Sequence, residues 1–455
     1  MTNCMINKDL LRTDPDFLRA SCEAKGVAVD FETLLDLELA YRKLQHQEQE
    51  LQTKMNQASQ QFPSLPESEK EILKKEILLW KNQLAEVKDR VENAVVSLNN
   101  MLWDIPNPPA PDVKIGAGYD ENEVIREVAP PPQSSPLSRG RAGGGSASPL
   151  ASRPSHLLLD HIALPPRHSR AGGNLLLDHT TLGQNLGVDM ERGAKVSGSR
   201  FAFLRGPSAD LAWALAQYGV ATAKKYGFEF VLPPVLVKGE TMQAMGYLQH
   251  GGEEETYHFE KDDLYLTATS EQSLVGMYQN EIIPSNDLPL RFVGYSSCFR
   301  REAGSYGKDV RGLIRTHQFE KVEMVSLVLP ELADEEHDRI LAIAEEFVAG
   351  LGLPYRVVKS CSGDLGDPAA RKYDIECWLP SENQYRETHS CSLCTDFQAR
   401  RLGLKYKEGT DKPKYLYTLN GTVVAVGRML AILMENYQQA DGTVEIPEVL
   451  KKYLV

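Results

Sequence analysis

The sequence is poor in features that would assign it quickly, and each absence excludes something. No apolar run approaches the ~20 residues needed to cross a bilayer, so no membrane protein is expected. The N-terminal stretch MTNCMINKDLLRTDPDF has acidic residues early and no basic region followed by an apolar one. It predicts neither a secretory signal nor a transit peptide, and the expected location is cytoplasmic. The seven cysteines, at 4, 22, 298, 361, 377, 391 and 394, are odd in number and scattered, which argues against a disulfide framework. Cys391 and Cys394 form a CxxC pair, but no second CxxC accompanies it, so ordinary thiols are expected rather than a structural zinc site. No GxxxxGK[ST] run exists, which excludes a P-loop, and the glycine-rich AGGGSA at 142–147 follows no strand-like segment. A net charge of −13 disfavours nucleic-acid binding through the overall field while leaving room for a local basic surface.

What is present begins with a helical period. Leu73, Ile77, Trp80, Leu84, Val87, Val91, Ala94, Leu98, Met101 and Ile105 step by four and three without a miss, which is a heptad seam. Upstream, Leu37, Tyr41, Leu44, Leu51, Met55 and Ala58 keep the step, with Glu48 at the one polar position. Between the two seams Pro63 and Pro66 stop the first helix, and Ser68 is placed to cap the second. The pattern predicts an antiparallel two-helix coiled-coil arm closed by IPNPPAPD at 105–112. The arm is not basic, so any RNA contact falls to a minority of its surface, such as Lys70, Lys74, Lys75 and Lys81. A generic oligomerisation coil is the competing reading.

The next region is rich in Pro, Gly, Ser and Arg, and LLLDH occurs twice, at 157–161 and 175–179. The duplication around a Gly/Pro/Arg-rich spacer reads as an insertion, predicted to be a disordered surface loop over 133–174. The alternative is that Arg139, Arg141, Arg153, Arg167 and Arg170 hold RNA. The whole chain of 455 residues exceeds one ordinary core, and the expected organisation is an arm over 1–115, a linker over 116–132, the insertion over 133–174 and a catalytic domain over 175–455. In the last part, SADLAWALAQYGVATAKKYG reads as a helix ended by Gly227. FEFVLPPVLV reads as an edge strand, followed by strand-like LYLTATS, LRFVGYSSCF, THQFEKVEMVSLV, YRVVKSC and YDIECWLP. GTVVAVGRMLAILMENY reads as a glycine-opened helix. The fold class is therefore α+β with an antiparallel sheet.

Three clusters carry chemistry. CFRREAGSYGKDVRGLIRTHQFEKVE, 298–323, reads as a hairpin with charged residues on one face. Its arginines suit phosphate, Phe319 offers a flat face to a base, and Glu323 is a fixed acceptor. Arg428, within the apolar GTVVAVGRMLAIL, is costly to bury unless it meets a ligand or a carboxylate. Thr267-Ala-Thr-Ser-Glu271 suits binding of an amino group and a hydroxyl, and serves equally as a helix N-cap.

Together these segments resemble the seryl-tRNA synthetases, a family of class II aminoacyl-tRNA synthetases, over nearly the whole chain outside 133–174. GFEFVLPP, with Pro234 in the proline position, is similar to class II motif 1. FRREAGSYGKDVRGLIRTHQFEKVE is similar to motif 2 and GTVVAVGRMLAIL to motif 3. TSE, HQFEKVE, CTDFQARR and LNGT, in that order behind a helical hairpin, resemble the seryl family specifically. The resemblance implies a catalytic sheet flanked by helices and a homodimer. It implies L-serine, ATP with Mg2+, and tRNA(Ser) as partners, with tRNA(Sec) a further candidate. It gives Arg300 the α-phosphate and the serine carboxylate, Glu302 the adenine amino group, Phe319 the adenine face and Arg428 the γ-phosphate. The main chain near Thr316 lies along the nucleotide, and Glu387 and Ser390 hold Mg2+. Arg301, Thr388 and His389 join the ATP-binding set. Thr269, Ser270, Glu271, Glu323, Asn420 and Thr422 line the serine pocket. Arg301, Thr388, His389 and Thr422 depart from the family's commoner residues, and none of these departures removes a catalytic group. A carrier-charging relative and an inactive synthetase-like coiled-coil interaction protein are the other classes. The long arm speaks against the first and the intact charged residues against the second.

Overall fold

A computed structural model of the chain describes residues 6, 8–128, 177–303 and 312–455. The predicted insertion over 133–174 lies outside the described residues.

Two long helices, Phe31–Gln61 and Glu67–Trp103, form the arm. At ~1.5 Å per residue their 31 and 37 residues extend roughly 46 and 55 Å. The seam positions are half-buried or buried, mostly between exposed neighbours, and Leu84, Leu98 and Leu102 are buried. The first helix is capped by Asp30, whose carboxylate accepts from the Thr33 N–H at 3.1 Å. The second starts differently from expectation. Its N-cap is Pro66, and Ser68 lies inside the first turn. Pro66 is extended, so its carbonyl already receives the Glu69 and Lys70 N–H groups and the helix begins at Glu67, two residues earlier than a Ser68 cap would give. At the root, Leu11, Leu18, Phe31, Leu34, Leu98, Leu102 and Ile105 make a closed core.

The body is built on eight strands: β1 Glu123–Val128, β2 Glu229–Val231, β3 Leu290–Phe299, β4 Gln318–Val328, β5 Tyr355–Lys359, β6 Arg371–Leu379, β7 Gln384–Leu393 and β8 Tyr417–Ala425. Their order across the sheet is β1-β5-β6-β7-β8-β4-β3-β2, antiparallel throughout except for the parallel pair β2 with β3. Helices Pro207–Lys224, Ala333–Gly350 and Val426–Tyr437 cover one face with an apolar layer that includes Leu215, Ile340, Phe347 and Leu430. The helix at 333–350 comes so close to β8 that a Cβ on Gly421 would lie 2.2 Å from Ile340 Cγ2. The opposite face is left for chemistry. Among the described residues no helix is long and apolar enough to cross a membrane.

Several boundaries differ from the sequence expectation, each for a physical reason. Pro233 and Pro234 break FEFVLPPVLV into β2, at the sheet edge, and a separate strand Leu236–Lys238 in a small neighbouring sheet. The stretch read as a linker contributes β1, which the pairing with β5 stabilises despite its charged composition. Residues 421–425 finish β8, and the helix opens only at Val426, because Thr422 to Ala425 bond to β4. The strand read from THQFEKVEMVSLV starts at Gln318 rather than Thr316, and LYLTATS is extended only over Leu264–Leu266.

The root core generates a stability prediction. Leu98 is fully buried there, so Leu98→Ala should destabilise the folded chain by about 2–5 kcal/mol, read from urea unfolding followed by helical circular dichroism. A loss below ~0.5 kcal/mol, the range of ordinary surface changes, would show that the root is not closed.

Candidate active site

The uncovered face of the sheet holds a cavity of about 300 Å³. It gathers most of the sequence-expected residues. Arg300, Glu302, Thr316, Phe319, Glu387, Thr388, Ser390 and Arg428 line one part, and Thr269, Glu271, Glu323, Asn420 and Thr422 line the rest.

Strand alternation explains much of this set. Phe319 and Glu323 lie on β4 at even spacing and so share a face. Alternation alone would separate Glu387 from Ser390, which are three apart. The pairing of β6 with β7 shifts between Ile375 and Glu376, leaving Thr388 as an extra residue in β7. This β-bulge brings Glu387 onto the cavity side with Ser390. A second bulge, at Val423 of β8, lets Thr422 and Ala425 both line the cavity.

Three expected residues are not brought to it. His389 points to the covered face, where it is 1% exposed and packs on Phe347 at 5.9 Å. Its ring nitrogens meet the Val423 carbonyl at 2.9 Å and the Thr388 hydroxyl at 2.8 Å. Ser270 is buried toward Gly294, where a Cβ would lie 2.9 Å from its Oγ, leaving it no room to face a ligand. Arg301 turns outward, with its guanidinium over the Tyr257 ring at 5.6 Å and its N–H donating to the Glu255 carbonyl at 2.8 Å.

The cavity is strongly charged. Arg300 sits over the Phe319 ring at 5.5 Å, and its buried Nε has no hydrogen-bond partner among the described residues. Such a group is costly unless a ligand acceptor meets it. Arg428 lies in the first turn of its helix rather than mid-helix. It donates to the Ile314 carbonyl at 3.3 Å and the Glu387 carbonyl at 3.0 Å, and reaches the Glu387 carboxylate at 3.3 Å. The sequence alternatives of ligand or carboxylate therefore coincide, since that carboxylate faces the cavity. Burial opposes ionisation of Glu387, but Arg428, Lys372 and Arg300 outweigh it and hold its pKa below the ordinary carboxylate value. Glu271 is the opposite case. Burial pushes its pKa up, although it accepts from Tyr247 Oη at 2.6 Å and Gln398 Nε2 at 2.7 Å. Glu323 is held by Lys321 at 2.7 Å and by the Thr422 hydroxyl at 3.0 Å.

Sequence reasoning missed Tyr247, Lys321, Arg315 and Lys372, all of which line the cavity. Lys321 was within reach, since it shares the even spacing of Phe319 and Glu323. Arg315, paired with Glu302 at 2.7 Å, precedes β4 in irregular chain, so no period marks it. Tyr247 has no local signal, because only tertiary packing brings it to Glu271. Cys391 and Cys394 are both buried, and no cluster of metal-ligating side chains occurs among the described residues.

An antiparallel sheet with paired arginines and carboxylates on its open face, behind a helical arm, defines a class II aminoacyl-tRNA synthetase. The family model for the class II core domain (G, H, P, S and T) matches residues 256–437, and that for the seryl-tRNA synthetase N-terminal domain matches residues 5–109. A serine–tRNA ligase of Thermobifida fusca is 40% identical over 453 residues, covering 99% of this chain and 97% of that protein. A serine–tRNA ligase of Streptomyces coelicolor is likewise 40% identical, over 452 residues, at 99% and 97% coverage. The crystal structure of seryl-tRNA synthetase from Pyrococcus horikoshii complexed with ATP superposes with a TM-score of 0.83 at 32% identity, covering 98% of each chain. The chain belongs to the seryl-tRNA synthetase family.

The buried His389 yields a pH prediction. Burial pushes its pKa from 6.5 down to about 4. The folded value lies below the unfolded one, so its contribution is complete above pH 6.5 and is lost as pH falls toward 4. Over that window it should steepen the fall in unfolding free energy by up to ~1.4 kcal/mol per pH unit. His389→Gln should flatten the slope in urea titrations, and parallel slopes would contradict a structural histidine.

Proposed function

We propose that the chain activates L-serine with ATP to seryl-adenylate and transfers the seryl group to the 3′ end of tRNA(Ser). The observation that carries this reading is one cavity holding Arg300, whose buried Nε has no hydrogen-bond partner among the described residues, beside Arg428 and Glu387, in a chain 40% identical over 99% of its length to a serine–tRNA ligase.

In the first step a serine carboxylate oxygen attacks the α-phosphorus of ATP. The new P–O bond forms as the α–β bridging bond breaks, and pyrophosphate leaves. In this reading Arg300 meets the α-phosphate and the serine carboxylate, and Arg428 takes the γ-phosphate. Phe319 stacks on the adenine, Glu302 accepts from its amino group, and the chain near Thr316 runs along the nucleotide. In the second step the terminal ribose hydroxyl attacks the seryl carbonyl and AMP leaves. No enzyme nucleophile is needed, so catalysis is positioning and charge stabilisation. Thr269, Glu271, Glu323, Asn420 and Thr422 form the serine side. Alanine lacks the hydroxyl that this polar wall could hydrogen-bond, which is a basis for rejection. Glu387, kept ionised by its cationic neighbours, and the Ser390 hydroxyl are hard oxygen donors that fit Mg2+. Bound there, Mg2+ would neutralise phosphate charge.

The arm is assigned to tRNA, tRNA(Sec) is the second acceptor to assay, and the cytoplasm is the site of action. A homodimer is supported by exposed apolar side chains on and around the edge strand β2: Phe230 within it, Leu232 just beyond it, Leu236 in the neighbouring small sheet and Trp213 on helix Pro207–Lys224, with Leu232 70% exposed. Leu232→Asp should shift the sedimentation coefficient from dimer to monomer, and a parent chain that sediments as a monomer would remove the assignment.

The decisive assay is serine-dependent exchange of labelled pyrophosphate into ATP, with alanine, threonine and glycine as controls. Exchange should require serine and fall by about 10²–10³-fold in Arg428→Ala, the scale of one lost preorganised donor. No exchange with any amino acid would sink the reading and favour an inactive interaction protein.

A further inference from the structure

Five consecutive main-chain carbonyls, Gly366 to Ala370, accept hydrogen bonds from the two feet of the helical arm. Before the first arm helix, the Lys25 ammonium donates to Gly366 at 3.0 Å, Asp367 at 3.3 Å and Ala369 at 2.7 Å. Beyond the second arm helix, the Asn107 N–H donates to Asp367 at 2.9 Å, and its side-chain amide donates to Pro368 and Cys394, each at 2.8 Å. The Ala110 N–H donates to Ala370 at 2.8 Å.

The other side of this segment faces the cavity, which Gly366, Pro368 and Ala369 help to line. They belong to its serine side. A Cβ on Gly246 would lie 3.2 Å from Pro368 Cγ, and the next residue, Tyr247, holds Glu271. Cys394, gripped by Asn107, receives the Asn420 amide at 3.7 Å. The segment enters no regular element before β6, and apart from the turn bond of Ala369 N–H to Gly366, the Ala370 N–H to Leu393 at 2.7 Å and the His250–Asp367 pair, its path is fixed by these bonds from the arm.

Lys25 is matched to the task. An ammonium has three donors and meets three carbonyls. Burial pushes its pKa down to about 7, with Asp367 pulling the other way. Such desolvation is tolerated only where the bonds compensate. Asp367 is itself held by His250 at 2.7 Å.

We propose that Lys25 is a positioning residue of the aminoacylation site: from the foot of the arm it fixes the segment that walls the serine side of the cavity. The inference rests on the serine-activation reading. Its test is pyrophosphate exchange with serine and ATP titrated separately, in the parent chain, Lys25→Met and Lys25→Arg. Lys25→Met should raise the serine KM by about tenfold, the scale of one lost charge-assisted hydrogen bond, and leave the ATP KM and kcat within about twofold. Lys25→Arg, which keeps the charge and donors, should recover most of the loss. Lys25→Gln, with the same expected split, replaces the Met variant if that does not fold. An unchanged serine KM in a folded variant, with or without a lower melting temperature, overturns the proposal, as does an equal rise in both KM values. Absence of exchange in the parent chain would strike the serine-activation reading instead.

Discussion

Charges of both signs have to be desolvated together on one face of a β-sheet, and the rest of the structure is arranged around that demand. Strand geometry resists it, because side chains alternate and residues at odd spacing part company. Two bulges, at Thr388 and at Val423, resolve the conflict in adjacent strands. They are joined beneath the cavity by His389, whose two ring nitrogens meet Thr388 and the Val423 carbonyl. The histidine that sequence reasoning gave to ATP thus supports the irregularity that presents Glu387. Its neutral form suits that place, since a charged imidazole would be stranded in the apolar layer against Phe347.

The cavity separates its carboxylates by environment. Glu387 is surrounded by cations and kept ionised, whereas Glu271 is buried among neutral donors and pushed toward its protonated form. A free ammonium arriving beside Glu271 would supply the charge that the protein withholds, and a polyphosphate would give Arg300 and Arg428 partners better than each other's surroundings. Both halves are therefore more costly empty than occupied, which favours ligands carrying the complementary charges.

How much of this was legible depended on whether the signal was local. The arm could be read because a seam repeating every three and four residues needs only sequence spacing, and the half-buried series from Leu73 to Met101 followed it without a slip. Phe319 and Glu323 were legible by even spacing, Arg428 and the Thr267–Glu271 cluster by their residue types and surroundings, and the family resemblance supplied Asn420. What failed was set by register or by long-range packing. The bulge at Thr388 is a relation between two strands, so His389 and Glu387 could not be sorted by alternation alone. β1 is charged and depends on β5 for its existence, and Tyr247 reaches Glu271 only through the fold. Ser68 looked like a cap because hydroxyls often are, but Pro66 had already set the helix start.

The arm's direction cannot come from its seam. A two-helix hairpin has one shared face, and along most of its length the seam residues are only half-buried, so among the described residues the distal part packs on itself. Direction has to be set at the root, and two cations, the half-buried Lys25 and the buried Arg401, set it reciprocally. Lys25 reaches from the arm to carbonyls of the body, and Arg401 reaches from the body to the Trp103 and Ile105 carbonyls at the end of the second arm helix, at 3.2 and 3.1 Å. A cation there also faces the negative end of the helix dipole. Arg401 is clasped by the Trp103 and Phe397 rings at 5.0 and 3.7 Å, and burial pushes its pKa down to about 9. Carbonyl–cation bonds are directional and, once desolvated, costly to break, so the root behaves as a joint with a defined angle rather than a tether. One of its two cations ends on the wall of the cavity, and the geometry of the arm and the geometry of the cavity wall at Gly366–Ala370 are therefore parts of one hydrogen-bonded unit.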